Sequence, residues 1–400
     1  MISKALIYGF ALILALGGFS AVCLLALRSY AGANHELSTD RLRFIKSVRK
    51  WLARSLALAI GIAALVLLLE LALRAATWPD NSPGYAIKHP TRGHALRPDF
   101  SGYTYEAPLE INSLGIRDRD REVILHPNNF RVVVLGDAMT YGVGVPIEKT
   151  YPLLLEERLH QQGRSAQVFN FGVPNYNTVD EAIFLKEMFE LYQPDFVILQ
   201  FEMLGNDVAY KPHPLPQTGF RSTALWQQLR DIPRRSYVHY WTQRKTGELV
   251  FSYRRRHAPS DPLEKLQSSI EHRLHGEYAE TAIGWLESQQ ALTQLNEFLA
   301  ARKIPFMVAI SVNFTDMSAE ARNIIQPLTD QVSNKITGLG ISPVVVIDEA
   351  FYGLAGRESE LFLAPDDDHW TVFAHSQVAD FLFDQMQSIP GSAVDTRPDN

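Results

Sequence analysis

The sequence predicts an α/β fold, a doubly wound parallel sheet in a three-layer sandwich, preceded by two transmembrane helices. Three observations carry this. Short segments with apolar centres lie at 131–135, 167–171, 195–200, 305–310 and 343–347. Between them are stretches whose apolar residues recur at helical spacing, an alternation that means a parallel sheet covered on both faces. Ahead of them are two long apolar runs, 5–27 and 56–73.

The first run carries no charge and is long enough for a bilayer core of about 30 Å. The second holds Glu70, with Arg74 one turn later. The chain between is basic: Arg28, Arg41, Arg43, Lys46, Arg49, Lys50 and Arg54 against Glu36 and Asp40. The bias of positive charge toward the cytoplasm places that loop inside and the rest of the chain outside: periplasmic in a Gram-negative cell. The expected divisions are an anchor over 1–80, a Pro- and Gly-punctuated linker and lead-in over 81–129, a main domain over 130–390 and a polar tail over 391–400.

Within the main domain, helices are expected at 149–162, 282–302, 319–336 and 371–389, with Thr178 to Glu181 as a capping box opening another. Residues 208–278 break the alternation. They are aromatic and basic, holding Trp226, Tyr240, Trp241, Arg234, Arg235 and Arg254 among others, and read as an insertion over the sheet's carboxyl edge. A lid with a substrate pocket, a face toward anionic lipid, or a merely solvated face would all suit that composition.

Composition narrows the function. The 400 residues carry a net charge of −6, which gives no case for nucleic-acid binding. One cysteine, Cys23, excludes an internal disulfide framework. No phosphate-cradling loop is present. The run Asp366-Asp367-Asp368 could suggest a cation, but consecutive carboxylates diverge and further ligands at metal spacing are missing, so no metal or other cofactor is expected.

The chemistry-bearing residues gather where strands end. Gly136-Asp137-Ala138-Met139-Thr140-Tyr141-Gly142 follows the first strand, Asn170-Phe171-Gly172 closes the second, Gly205-Asn206-Asp207 follows the third, and Asp366-Asp367-Asp368-His369 precedes the final helix. In an open α/β sheet these loops share one edge, where ligands bind.

Those four segments resemble the four sequence blocks of the SGNH hydrolases, or GDSL-type esterases. The first block matches everywhere except at the serine, where Ala138 stands. Asn112 to Arg117 also resembles a segment ahead of that block in membrane-attached bacterial members. The resemblance covers roughly 111–207 and 343–383, and leaves out the insertion and the membrane segments. It implies a flavodoxin-like sandwich and a catalytic serine at position 138. His369 would be the base, and Asp366 the acid fixing its tautomer, with Asp367 as the alternative acid. The oxyanion donors would be the N–H groups of Ala138 and Gly172 and the Asn206 amide. His375 falls inside the final helix and reads as a decoy. Thr140 reads as a turn-stabilising hydroxyl rather than a nucleophile.

A methyl group cannot attack a carbonyl, and removing a triad serine costs on the order of 10⁶ in turnover. The chain is therefore expected to be nearly inert. Retention of Asp366, His369, Gly172 and Asn206 favours a Ser→Ala substitution in an esterase over a natural pseudoenzyme that binds an acylated ligand. The implied partners are a membrane and an acylated polysaccharide, glycolipid or phospholipid. An O-acyltransferase would use the same triad.

Overall fold

The computed structural model describes residues 22–23, 39–76, 84–105, 107–205, 207–208, 262–312, 314, 316–364 and 367–389. Most of the first apolar run, the bulk of the insertion, the tail, and the single residues Asn206 and Asp366 lie outside these.

Helix α1 (Thr39–Ala76) is unbroken for 38 residues. At 1.5 Å per residue that is about 57 Å. The basic residues read as a loop, Arg41 to Arg54, lie on its first turns instead. No Gly or Pro interrupts 39–60, and Arg and Lys are good helix formers, so nothing stops the helix before the apolar run. Among the described residues, α1 over Arg43–Ala72 is the helix long and apolar enough to cross a membrane. Its Leu65, Leu67, Leu68 and Leu71 are exposed.

The segment expected to be a linker carries two antiparallel hairpins: β1 (Ala86–His89) with β2 (Gly93–Leu96), and β3 (Phe100–Thr104) with β4 (Ala107–Ile111). Leu109 and Ile111 are buried while Pro108 and Glu110 are not. That period of two is the mark of a half-buried strand, and the punctuating residues mark its turns.

The central sheet has the order β6-β5-β7-β8-β9, all parallel. Its strands are β5 (Phe130–Gly136), β6 (Ala166–Gly172), β7 (Phe196–Glu202), β8 (Phe306–Ser311) and β9 (Val344–Val346). Each lies within two residues of an apolar segment read from the sequence. The helices are α2 (Ala138–Tyr141), α3 (Tyr151–Gln161), α4 (Thr178–Tyr192), α5 (Pro262–His275), α6 (Ile283–Ala300), α7 (Ala319–Gly338), α8 (Glu358–Leu361) and α9 (Val372–Gln387). A second small ribbon pairs β10 (Phe362–Ala364) with β11 (Asp367–Trp370).

Side chains alternate across the strands. Val132, Val134 and Ile198 join a core with residues of α3 and α9. Val133, Leu135, Val197 and Leu199 join another with residues of α4, α6 and α7. Both sheet faces are thus covered, which is why the strand centres are apolar on both sides. The chain runs from β5 outward to β6, then crosses back to β7 on the other side. That reversal opens a crevice at the carboxyl ends of β5 and β7, where open α/β sheets place their ligands.

One local expectation shifts by a residue. The cap of α4 is Asn177, whose side chain accepts from the Asp180 N–H. Thr178 is the first helical residue, and its hydroxyl bonds Asp207 instead.

Candidate active site

The site starts from a tight turn at the end of β5. Asp137 caps α2 by accepting the Met139 N–H at 3.1 Å. Gly142, at φ +83°, closes the helix in the left-handed region that glycine tolerates. A Cβ at Gly136 would lie 2.7 Å from Gln200 Oε1, which leaves room only for hydrogen. Between Val132 and Gly142, Ala138 is the one residue not fully buried. As first residue of a helix, its N–H has no intrahelical acceptor. Thr140 is fully buried, bonding Tyr151 Oη at 2.6 Å and Gln200 at 3.1 Å. Its role is to hold the turn.

Arg117 locks the far side of that turn. The guanidinium is completely buried and donates to the carbonyls of Tyr141, Gly142 and Val145. It also lies over the Tyr141 ring at 4.7 Å. The cation thus satisfies carbonyls that the helix end leaves open.

His369 comes from β11, against which α2 packs. Asp367 Oδ1 accepts from both the backbone N–H of His369, at 3.0 Å, and its ring Nδ1, at 2.6 Å. A carboxylate can only accept, so Nδ1 carries the hydrogen and Nε2 is left as the base. The 366–369 spacing pointed to Asp366, which lies outside the described residues. The sequence reading treated this segment as a loop. Because it is a strand, positions i and i+2 share a face, and that puts Asp367 beside His369. In a serine-restored chain, Asp367→Asn is expected to lower kcat by about 10⁴, the size expected when the tautomer is lost. Asp366→Asn should cost less than about tenfold; the reverse ranking would reinstate Asp366.

Gly172 closes β6 and packs against the Ala138 turn. Its N–H donates to Asn170 Oδ1 at 2.9 Å and so is already engaged. The absent side chain admits the backbone of Thr140 and Tyr141: a Cβ would lie 2.5 Å from the Thr140 carbonyl carbon. The glycine thus permits the close approach of α2 to β6. Asn206 lies outside the described residues, but its neighbours are clear. Asp207 is buried, accepts the Thr178 hydroxyl at 2.9 Å and also accepts the Glu202 N–H, pinning the exit of β7.

Glu202, which was not singled out from the sequence, and Asp368 both lie close enough to act on His369. The Glu202 carboxyl sits against Gly205, where a Cβ would lie 2.5 Å from Glu202 Cγ, and hydrogen-bonds the Asp137 carboxyl. Burial, reinforced by Asp207 and Asp368, raises Asp137 above the usual carboxylate range. Asp368 is raised by burial and then by Glu202. A charged residue closing a strand with no other charge was the available signal for Glu202.

These carboxylates set the base. Burial alone would lower His369, but the Asp367 hydrogen bond and the charges of Asp367, Asp368 and Glu202 outweigh it and raise the imidazole above 6.5. Asp367 is correspondingly held below 3.8: burial opposes ionisation there, and the His369 hydrogen bonds overcome it. A raised histidine stabilises the fold fully below pH 6.5, and this contribution fades as pH rises through the folded-state value. Catalysis needs the neutral form, so activity of a serine-restored chain should climb with pH with a midpoint above 6.5. Glu202→Gln removes a negative neighbour and should move that limb toward acid; an unmoved limb would show that Glu202 does not act on His369.

His375 is structural. Its Nδ1 accepts the Tyr151 N–H at 3.1 Å, and burial first, then the charges of Arg117 and His369, push it down to about 3. Asp367, Asp368 and His369 bring possible ligand atoms within 4.8 Å of one another. Within that group the His369 Nδ1 is bonded to Asp367.

No protein-family profile matches the chain. An arylesterase of Vibrio mimicus is 31% identical over 77 residues, a stretch covering 19% of this chain and 38% of that protein. The match therefore spans well under two thirds of the arylesterase. Among solved structures, a psychrotrophic esterase from Pseudoalteromonas sp. is 12% identical with a TM-score of 0.34, covering 64% of this chain and 96% of that one. A lipase/acylhydrolase from Enterococcus faecalis gives 13% and 0.35, covering 64% and 95%. An SGNH-hydrolase family esterase gives 15% and 0.31, covering 68% and 100%.

Proposed function

We propose that this chain is the framework of a membrane-anchored serine esterase of the SGNH type, silenced at its first chemical step by Ala138. The observation that carries this reading is the Asp367–His369 pair set beside the Ala138 turn, at the crevice of the sheet. The partial likeness to an arylesterase agrees with it.

With a serine at that turn the steps follow. The hydroxyl oxygen attacks the ester carbonyl carbon while His369 Nε2 takes its proton. The tetrahedral oxyanion collapses, the bond to the alcohol breaks, and the alcohol leaves with that proton. Water then repeats the sequence on the acyl-enzyme, releasing the acid and restoring the hydroxyl. With alanine the site can hold an ester but not open it, which makes binding of an acylated ligand the second reading.

The substrate class we infer is an acyl ester of an envelope polysaccharide, glycolipid or phospholipid, with the domain outside the cytoplasm. Support comes from the apolar length and basic start of α1. The test is release of free acid from these esters by Ala138→Ser, absent when His369→Ala is added. Release from none of them would sink the substrate assignment. A reporter fused at the carboxyl terminus should be active only outside the cytoplasm; activity inside overturns the orientation.

A further inference from the structure

The tip of the β3–β4 hairpin reaches the candidate dyad. Thr104 pairs with Ala107, which puts Tyr105 at the tight connection between the two strands. Such turns favour Gly, Asn or Asp, because their backbone enters positive φ. Tyr105 nonetheless sits at φ +45°. A bulky residue held there at a cost is a pointer to function.

The side chain goes to the site. The Tyr105 ring is 6.1 Å from the His369 ring, tilted by 46°. Tyr105 is also among the groups that hold the Asp367 carboxyl below its usual range, after the His369 contacts, and Asp367 Oδ1 in turn holds His369 Nδ1. The hairpin is tied to the loop after α2, since Thr104 Oγ1 accepts the Gly144 N–H at 3.4 Å. Arg117, which clamps that loop, also donates to the Pro108 carbonyl on β4 at 3.4 Å. Turn and hairpin are thus linked by hydrogen bonds, and the Tyr105 ring is set beside the dyad.

We propose that Tyr105 is a positioning residue, whose hydroxyl fixes the Asp367 carboxylate and so orients His369 for proton transfer. The lead-in hairpin then supplies part of the machinery that the main sheet lacks. This rests on the hydrolase reading for its kinetic consequence but not for the contact itself.

Two measurements separate these. In the unaltered chain, the His369 Nδ1–H should give a low-field proton resonance, and Tyr105→Phe should shift it or broaden it away by exchange. An unmoved resonance overturns the proposal. In the Ala138→Ser background, Tyr105→Phe should lower kcat about tenfold, the scale of one hydrogen bond to a charged group, with KM within about twofold. Tyr105→Gly should lose the same activity while melting no earlier, because glycine relieves the positive φ. An unchanged kcat, or a loss that appears only with a lowered melting temperature, overturns the positioning role. Should Ala138→Ser show no turnover, the hydrolase reading falls, and the resonance alone decides Tyr105.

Discussion

Ala138→Ser is expected to raise ester hydrolysis by on the order of 10⁴–10⁶, the range spanned by losses of single members of a triad. The position can accept the change. Ala138 opens α2 and is the only residue from Val132 to Gly142 not fully buried, so one hydroxyl displaces nothing. Serine is also at home at a helix start. The partners are already placed. Asp367 fixes the tautomer of His369, and α2 packs against the strand that carries both. Short-chain p-nitrophenyl esters and a fluorophosphonate label provide the readout. Adding His369→Ala should return the rate to its starting level. If the serine variant neither turns over nor takes the label, the esterase reading is wrong and the ligand-binding reading takes its place.

The second large effect is on architecture. Gly172→Ala is expected to destabilise the fold by about 3 kcal/mol, the upper part of the usual range for overpacking. The added Cβ would lie 2.5 Å from the Thr140 carbonyl carbon and 2.6 Å from Tyr141 Cα. Both are backbone atoms, so no side chain can rotate away, and α2 itself must move. Gly136 and Gly172 are register partners, so the whole short helix lies over this pair of glycines. A displacement of about 1 Å there should cost a serine-restored chain roughly 100-fold in rate. Gly163→Ala is the control. It has positive φ but nothing within 4 Å, so it should lose only about 1 kcal/mol through backbone strain. Urea unfolding midpoints at unchanged m give the comparison. Equal losses at the two glycines would show that α2 does not rest on Gly172.

Much of the fold was legible from local pattern. Val132 to Leu135 and Val197 to Leu199 are uninterrupted apolar runs because both faces of the sheet are covered. Amphipathic spacing placed α3, α6, α7 and α9 to within a few residues for the same reason. The 84–111 hairpins were missed because Pro and Gly, read as linker punctuation, here make turns between very short strands. The basic start of α1 was missed because charge suggested a loop, although those residues favour a helix.

What the sequence determined by itself was the set of strand ends, and with it the placing of the Ala138 turn and Gly172 at the carboxyl ends of neighbouring strands. Apolar runs and helical periods are short-range signals, and the hydrophobic effect reads them without reference to distant chain. Only the tertiary structure showed that Asp367 bonds His369, what occupies the space beside Gly172, and that Glu202 and the Tyr105 ring lie near that histidine. Each of these depends on strand register or on a contact between segments far apart in the chain. A one-residue change of register, or a strand in place of a loop, exchanges one neighbour for another without altering any local pattern.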